Sequence, residues 1–160
     1  MSSTNANFNS HPNSQSKPQF APGVDQTTLT SSLSPLLHPT GKWALTSAST
    51  GLQRTFKFKT FNKAWTFMDK VAAECKKHKH HPEWANTYNT VFVRWTTHVP
   101  KGLTEKDVNM AKVCDEVAKE VGEEVKEEKS EGVEGVLQEM KGLLEEAVKE
   151  AGDCCAPKKK

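Results

Sequence analysis

The sequence predicts an α+β domain in which three helices alternate with two β-hairpins. Three observations carry this reading. Apolar residues fall at helical spacing from Asn62 to Lys77, two strand-like runs flank the polar pair Asn89-Thr90, and Thr104-x-x-Asp107 has the form of a capping box. At 160 residues the chain has room for one ordinary domain plus tails.

The first 23 residues are rich in Ser, Asn, Gln and Pro and nearly free of aliphatic side chains, so they cannot bury enough surface to offset the entropy of ordering and are expected to be disordered. Leu29, Leu33, Leu36 and Leu37 then predict a short helix between Val24 and Leu37, with Pro35 near its end. Trp43–Thr46 and Leu52–Lys59 flank Ser-Ala-Ser-Thr-Gly and read as the first hairpin, Leu52, Phe56 and Phe58 on the buried face and Lys57 and Lys59 opposite.

The second helix follows from Ala64, Met68, Val71, Ala72 and Cys75, with Thr60 or Asn62 as its cap, and it is stopped by Pro82. Trp84–Tyr88 and Val91–Thr97 form the second hairpin. If Asn89-Thr90 is its two-residue turn, Tyr88 pairs with Val91 and His81 falls opposite His98; a slip of a residue or two keeps His80, His81 and His98 within reach. On the second strand Val91, Val93, Trp95 and Thr97 share the face that should meet the helices. The third helix opens at Thr104 and buries Val108, Ala111, Cys114, Val117, Ala118 and Val121.

Gly122–Ser130 is a charged linker. Beyond it Val133, Val136, Met140, Leu143 and Ala147 recur at spacings of three and four, seconded by Leu137, Leu144, Val148 and Ala151, which predicts a two-heptad amphipathic helix. It would serve as a coiled-coil or docking helix for a protein partner, or else it folds back on the domain or stays marginal in water, since isolated helices this short rarely persist. The expected divisions are therefore 1–23, 24–121 and 122–160.

Composition excludes several classes. A net charge of +2 with dispersed basic residues is no nucleic-acid footprint, and no apolar run approaches membrane-spanning length. Four cysteines, two of them adjacent at Cys154 and Cys155, give no disulfide framework, so a reducing compartment is expected. Without a secretory pattern, and with no arginine before Arg54, the default is a cytoplasmic protein, with a nuclear location open.

Glu74–Asp107 holds four of the six histidines, and three of them, His78, His80 and His81, crowd at the end of a helical pattern. Converging imidazoles tend to hold one proton while their neighbours stay neutral, which sets an acid beside a base. Removing a hydroxyl as water while taking a proton from an adjacent atom requires those two roles. Two plainer readings stand beside this one. Lys76-Lys77-His78-Lys79 is also simply a solvated helix end, and Cys75, His78, His80, His81 and His98 are competent zinc ligands, although the surrounding lysines oppose a dication.

The paired histidines followed by Pro82-Glu83-Trp84, the Asn86-Thr87-Tyr88-Asn89 turn, the Thr97-His98 strand end and the Gly102-Leu103-Thr104-x-x-Asp107 helix start resemble the pterin-4a-carbinolamine dehydratases, whose animal members also serve as dimerisation cofactors of a homeodomain transcription factor. The resemblance runs from about Val24 to Val121. It implies a four-stranded antiparallel sheet with helices packed on one face, in the order α-β-β-α-β-β-α, assembly as a homodimer or homotetramer, and dehydration of 4a-hydroxytetrahydrobiopterin to quinonoid dihydrobiopterin in tetrahydrobiopterin recycling. Neither metal nor organic cofactor is implied.

By motif, the resemblance implies His80, His81 and His98 as catalytic histidines and Asp107 as the supporting carboxylate. It implies pterin contacts from Lys79, Pro82, Thr96 and Thr97, with Trp43 lining the pocket. The alternative is a partner-binding module whose catalysis is vestigial. Where animal members carry acidic residues, this chain has Lys76, Lys79 and Val99, so its site should be more positive.

Overall fold

A computed structural model describes residues 17–124 and 140–149. Its elements follow the expected order: α1 (Gln26–Leu33) continued by a 3-10 turn (Ser34–Leu36), β1 (Ala44–Leu45), β2 (Gly51–Lys57), α2 (Phe61–His78), β3 (Glu83–Thr87), β4 (Thr90–Thr96) and α3 (Glu105–Val121). The strands form one antiparallel sheet in the order β1-β2-β4-β3.

Each helix starts where a side chain meets its free backbone donors. Asp25 accepts from the amides of Thr27 and Thr28, Thr60 from that of Lys63, and the Asp107 carboxylate reaches back to the Thr104 amide. Helices α1, α2 and α3 cover one face of the sheet. Leu29, Leu33, Ala64, Phe67, Val71, Val108, Ala111, Cys114 and Ala118 meet Leu52, Phe56, Val91, Val93 and Trp95 in one core. Phe67, absent from the periodic set that predicts α2, lies at its centre with its ring 4.7 Å from Phe56 and 5.2 Å from Phe58. At the far end of α3, buried Arg54 pairs with Asp115 and with Glu123, fixing that helix against β2.

The hairpin register differs from the expected one. Thr87 pairs with Thr90 and Glu83 with Arg94, so the turn is Tyr88-Asn89, one residue earlier than Asn89-Thr90, and each pair of numbers is two lower. Tyr88 takes a left-handed φ of 50°, and Asn89 is bound to Phe58 in both directions: its side chain donates to the Phe58 carbonyl (2.5 Å) and its carbonyl accepts from the Phe58 amide (2.9 Å). That anchor to β2 selects the register. His81 therefore does not pair with His98, and the ladder ends at Glu83.

Two further differences concern the tails. Residues 1–16 lie outside the described residues, but within the expected tail residues 17–23 are packed. The amide of Ala21 donates to the Leu103 carbonyl, and that of Leu103 to the Gln19 carbonyl. This contact explains Gly102, since a Cβ there would stand 2.5 Å from the Ala21 nitrogen and φ is +136°.

At the other end, residues 140–149 are helical and lie on the sheet face opposite the three helices, where Met140, Leu144 and Val148 pack on Phe92 and Ala85. The three helices of the domain keep to one face as expected, and this segment folds back on the other. The stripe that packs has i, i+4 spacing and joins Met140 of the primary seam to Leu144 and Val148 of the secondary set, while Leu143 of the primary seam is 63% exposed. The rest of the expected amphipathic helix lies outside the described residues.

Candidate active site

His80 is delivered by the way α2 ends. Lys79 adopts the left-handed conformation (φ 50°, ψ 46°) of a helix C-cap, a role usually given to glycine, and the amides of Lys79 and His80 both return to the Cys75 carbonyl. The chain thereby turns back toward the sheet. The His80 ring stacks on Trp95, with ring centres 5.4 Å apart and planes 27° apart, and its Nε2 lies 2.8 Å from Asp107 Oδ1.

Asp107 has no exposed surface, and its burial is offset by a full set of donors. Oδ2 accepts from the Thr104 amide (2.8 Å) and is also approached by the hydroxyls of Thr97 (2.8 Å) and Thr104 (3.0 Å), which lie 2.9 Å from each other. Two hydroxyl protons cannot fill three contacts at once. In every arrangement, however, Oδ2 remains an acceptor, and an ionised Asp107 offers His80 a second acceptor at Oδ1. Facing that acceptor, His80 carries its hydrogen on Nε2 and leaves Nδ1 uncommitted to Asp107.

His98 has a different carboxylate. Its Nε2 lies 3.2 Å from Glu83 Oε1, and the other Glu83 oxygen is 3.4 Å from Arg94 Nη1. Sequence reasoning missed Glu83, although it stands in the Pro-Glu-Trp motif. The expected register started the strand at Trp84, so nothing pointed Glu83 toward the histidines. The two His–carboxylate pairs are tied by the chain. Thr97, which bonds Asp107, neighbours His98 with Cα atoms about 3.8 Å apart, and His80 and Glu83 are three residues apart, at most about 10 Å.

The other expected site residues are distributed unevenly. His81 is exposed, Pro82 is half-buried beside it, and Lys79 projects into solvent. Thr97 is committed to Asp107, and Thr96 donates to the Thr50 carbonyl (3.1 Å). Trp43 departs from its expected place. It is completely buried, with its ring edge-on to Phe56 and its indole N–H donated to Asp115 (2.9 Å), so it presents no surface to a pterin. His78 lies 3.8 Å from Glu74 at the exposed helix end. Among the described residues no three His, Cys, Asp or Glu side chains are grouped to hold a metal ion, and no helix is long and apolar enough to cross a membrane.

Among the described residues neither thiol is activated as a nucleophile. Burial pushes the Cys75 thiol up to about 11, and it pushes the fully buried Cys114 thiol higher still.

The chain is similar to known proteins over this domain. Residues 23–117 match the family model described as pterin 4 alpha carbinolamine dehydratase. A Rhodospirillum rubrum protein is 45% identical over 80 residues, which span 50% of this chain and 81% of that one. A Rhizobium meliloti protein is 44% identical over 82 residues, spanning 51% and 79% respectively. Both carry pterin-4-alpha-carbinolamine dehydratase as a provisional name. The crystal structure of a transcriptional coactivator/pterin dehydratase from Brucella melitensis superposes with a TM-score of 0.52 at 35% identity, covering 59% of this chain and 97% of that one. With a family model spanning more than half of its length, the chain belongs to the pterin 4 alpha carbinolamine dehydratase family.

Proposed function

We propose that the protein dehydrates 4a-hydroxytetrahydropterin to quinonoid dihydropterin and water. The C4a–oxygen bond breaks, the departing hydroxyl takes up a proton, and N5 releases one, so the reaction is redox-neutral and needs one acid and one base. The observation that carries this reading is the buried Asp107 carboxylate held 2.8 Å from His80 Nε2, which commits that nitrogen and leaves Nδ1 for the substrate.

In this mechanism His80 gives its Nδ1 proton to the leaving hydroxyl. His98, whose Nε2 faces Glu83, accepts the N5 proton at its own Nδ1, with exposed His81 able to share that role. Trp95 beneath His80 offers a flat wall that keeps the ring from rotating. Lys79, Pro82, Thr96 and Thr97 complete the proposed surroundings of the pterin. Service to pterin recycling, assembly as a homodimer or homotetramer, and a cytoplasmic place of action belong to the same proposal and rest on the family resemblance.

The test is the dehydration rate of freshly generated 4a-hydroxytetrahydropterin. An enzyme should accelerate it well above the spontaneous rate, whereas a partner-binding module that has lost catalysis would leave it unchanged.

A further inference from the structure

We propose that Glu83 is a positioning residue for His98, and that Arg94 decides which way Glu83 serves it; the inference rests on the dehydratase reading of the site. Gln53, Arg94 and Glu83 are Cα partners in a row across β2, β4 and β3. Arg94 Nη2 donates to Gln53 Oε1 (3.2 Å), and Nη1 to Glu83 Oε2 (3.4 Å). The Arg94 and Glu83 side chains are only 13% and 12% exposed, so their attraction is weakly screened. Glu145, also 3.4 Å from Arg94, is 63% exposed and adds little.

With Oε2 held by Arg94, Oε1 is the oxygen that meets His98 Nε2 at 3.2 Å. This is an ion-pair contact rather than an aligned hydrogen bond; because a carboxylate has no proton to give, a small rotation that aligns the two places the hydrogen of His98 on Nε2 and presents its lone pair at Nδ1. This repeats for His98 what Asp107 does for His80. The row across the sheet therefore fixes the tautomer of the proposed base.

Replacing Glu83 with glutamine exposes the logic. A glutamine has one acceptor oxygen, and the charged guanidinium outcompetes an imidazole for it. Its amide N–H then faces His98 and demands a lone pair at Nε2, which drives the hydrogen to Nδ1. Removing the guanidinium as well, in E83Q/R94M, frees the glutamine oxygen to return to His98.

The experiment uses the full chain and two readouts: the 15N-detected tautomer of His98 in the ligand-free protein at alkaline pH, and kcat and KM for 4a-hydroxytetrahydropterin. The wild type should hold Nε2–H. E83Q should hold Nδ1–H with kcat lower by about 10-fold or more and KM little changed, a share of what a positioned base contributes. E83Q/R94M should regain Nε2–H and part of kcat.

An unchanged tautomer in E83Q, or a changed tautomer with wild-type kcat, would overturn the inference. A wild type that follows the tautomer pattern but does not accelerate dehydration would instead defeat the dehydratase reading. The His98 geometry would then stand, but not its role in this reaction.

Discussion

His80 and Asp107 come from opposite kinds of helix end: His80 lies just past the C-terminus of α2, and Asp107 lies in the first turn of α3, with 2.8 Å between Nε2 and Oδ1. One carboxylate thereby caps a helix through Oδ2 and orients an imidazole through Oδ1. Stability and the proposed chemistry share a side chain.

That sharing predicts the behaviour of Asp107→Asn. If the amide oxygen takes the Oδ2 place, its N–H₂ confronts His80 Nε2; if the amide nitrogen takes it, donors meet the Thr104 amide. The first orientation turns His80 to its Nδ1–H tautomer and the second leaves a buried donor unsatisfied, so the urea midpoint should fall by the equivalent of at most about 1–3 kcal/mol. Dehydration should slow by about 100-fold, as expected when an acid loses its orientation. Equilibrium unfolding and turnover of the same sample check both.

Lys79 supplies a second prediction. Its left-handed φ of 50° strains a side chain bearing a Cβ, and glycine removes that strain. Lys79→Gly should raise stability by about 0.5–1 kcal/mol in a denaturant titration. If kcat/KM then falls although the fold is firmer, the ammonium touches the pterin; unchanged kinetics would assign Lys79 only to the cap.

The buried thiols set a pH dependence. The Cys75 thiol is raised by burial from 9.0 to about 11 in the folded protein, so between those values the unfolded chain loses its proton first. Its contribution to stability is complete below pH 9 and is lost as pH rises through 11. Cys75→Ala should therefore show a shallower decline of stability over that window than the wild type. The difference between the two unfolding curves is the measurement, and equal slopes would contradict it.

The carboxyl-terminal helical residues make a fourth prediction. Leu144 is 9% exposed against Phe92, so Leu144→Asp should detach residues 140–149, expose the Phe92 ring and cost about 1–3 kcal/mol. Hydrogen exchange should show loss of amide protection across 140–149 with α2 and α3 unaffected. Protection retained throughout would mean that the segment is not held by this contact.

Local chemistry made much of this fold legible. The capping side chains of Thr60 and Asp107, the apolar stripe of α2 and the alternation along β4 are all encoded within a few residues. The Tyr88-Asn89 turn was not, because no sequence rule favours a left-handed tyrosine and the choice is made by Asn89 gripping Phe58, 31 residues away. The same error hid Glu83, whose partner His98 emerges only once the register is known. Residues 17–23 and 140–149 gain their places from Leu103 and Phe92, contacts that composition cannot announce. His80, by contrast, was recognisable from its motif, and its geometry with Asp107 supplies the physical content of that motif.

The central claim is that His80 and His98 act together on a pterin carbinolamine. Its most direct test is the dehydration rate of freshly generated 4a-hydroxytetrahydropterin by the wild type, His80→Ala and His98→Ala, each first shown to be folded. The wild-type rate should lie well above the spontaneous one, with each single variant lower by about 100-fold or more. A wild-type rate no better than that of either variant would contradict it.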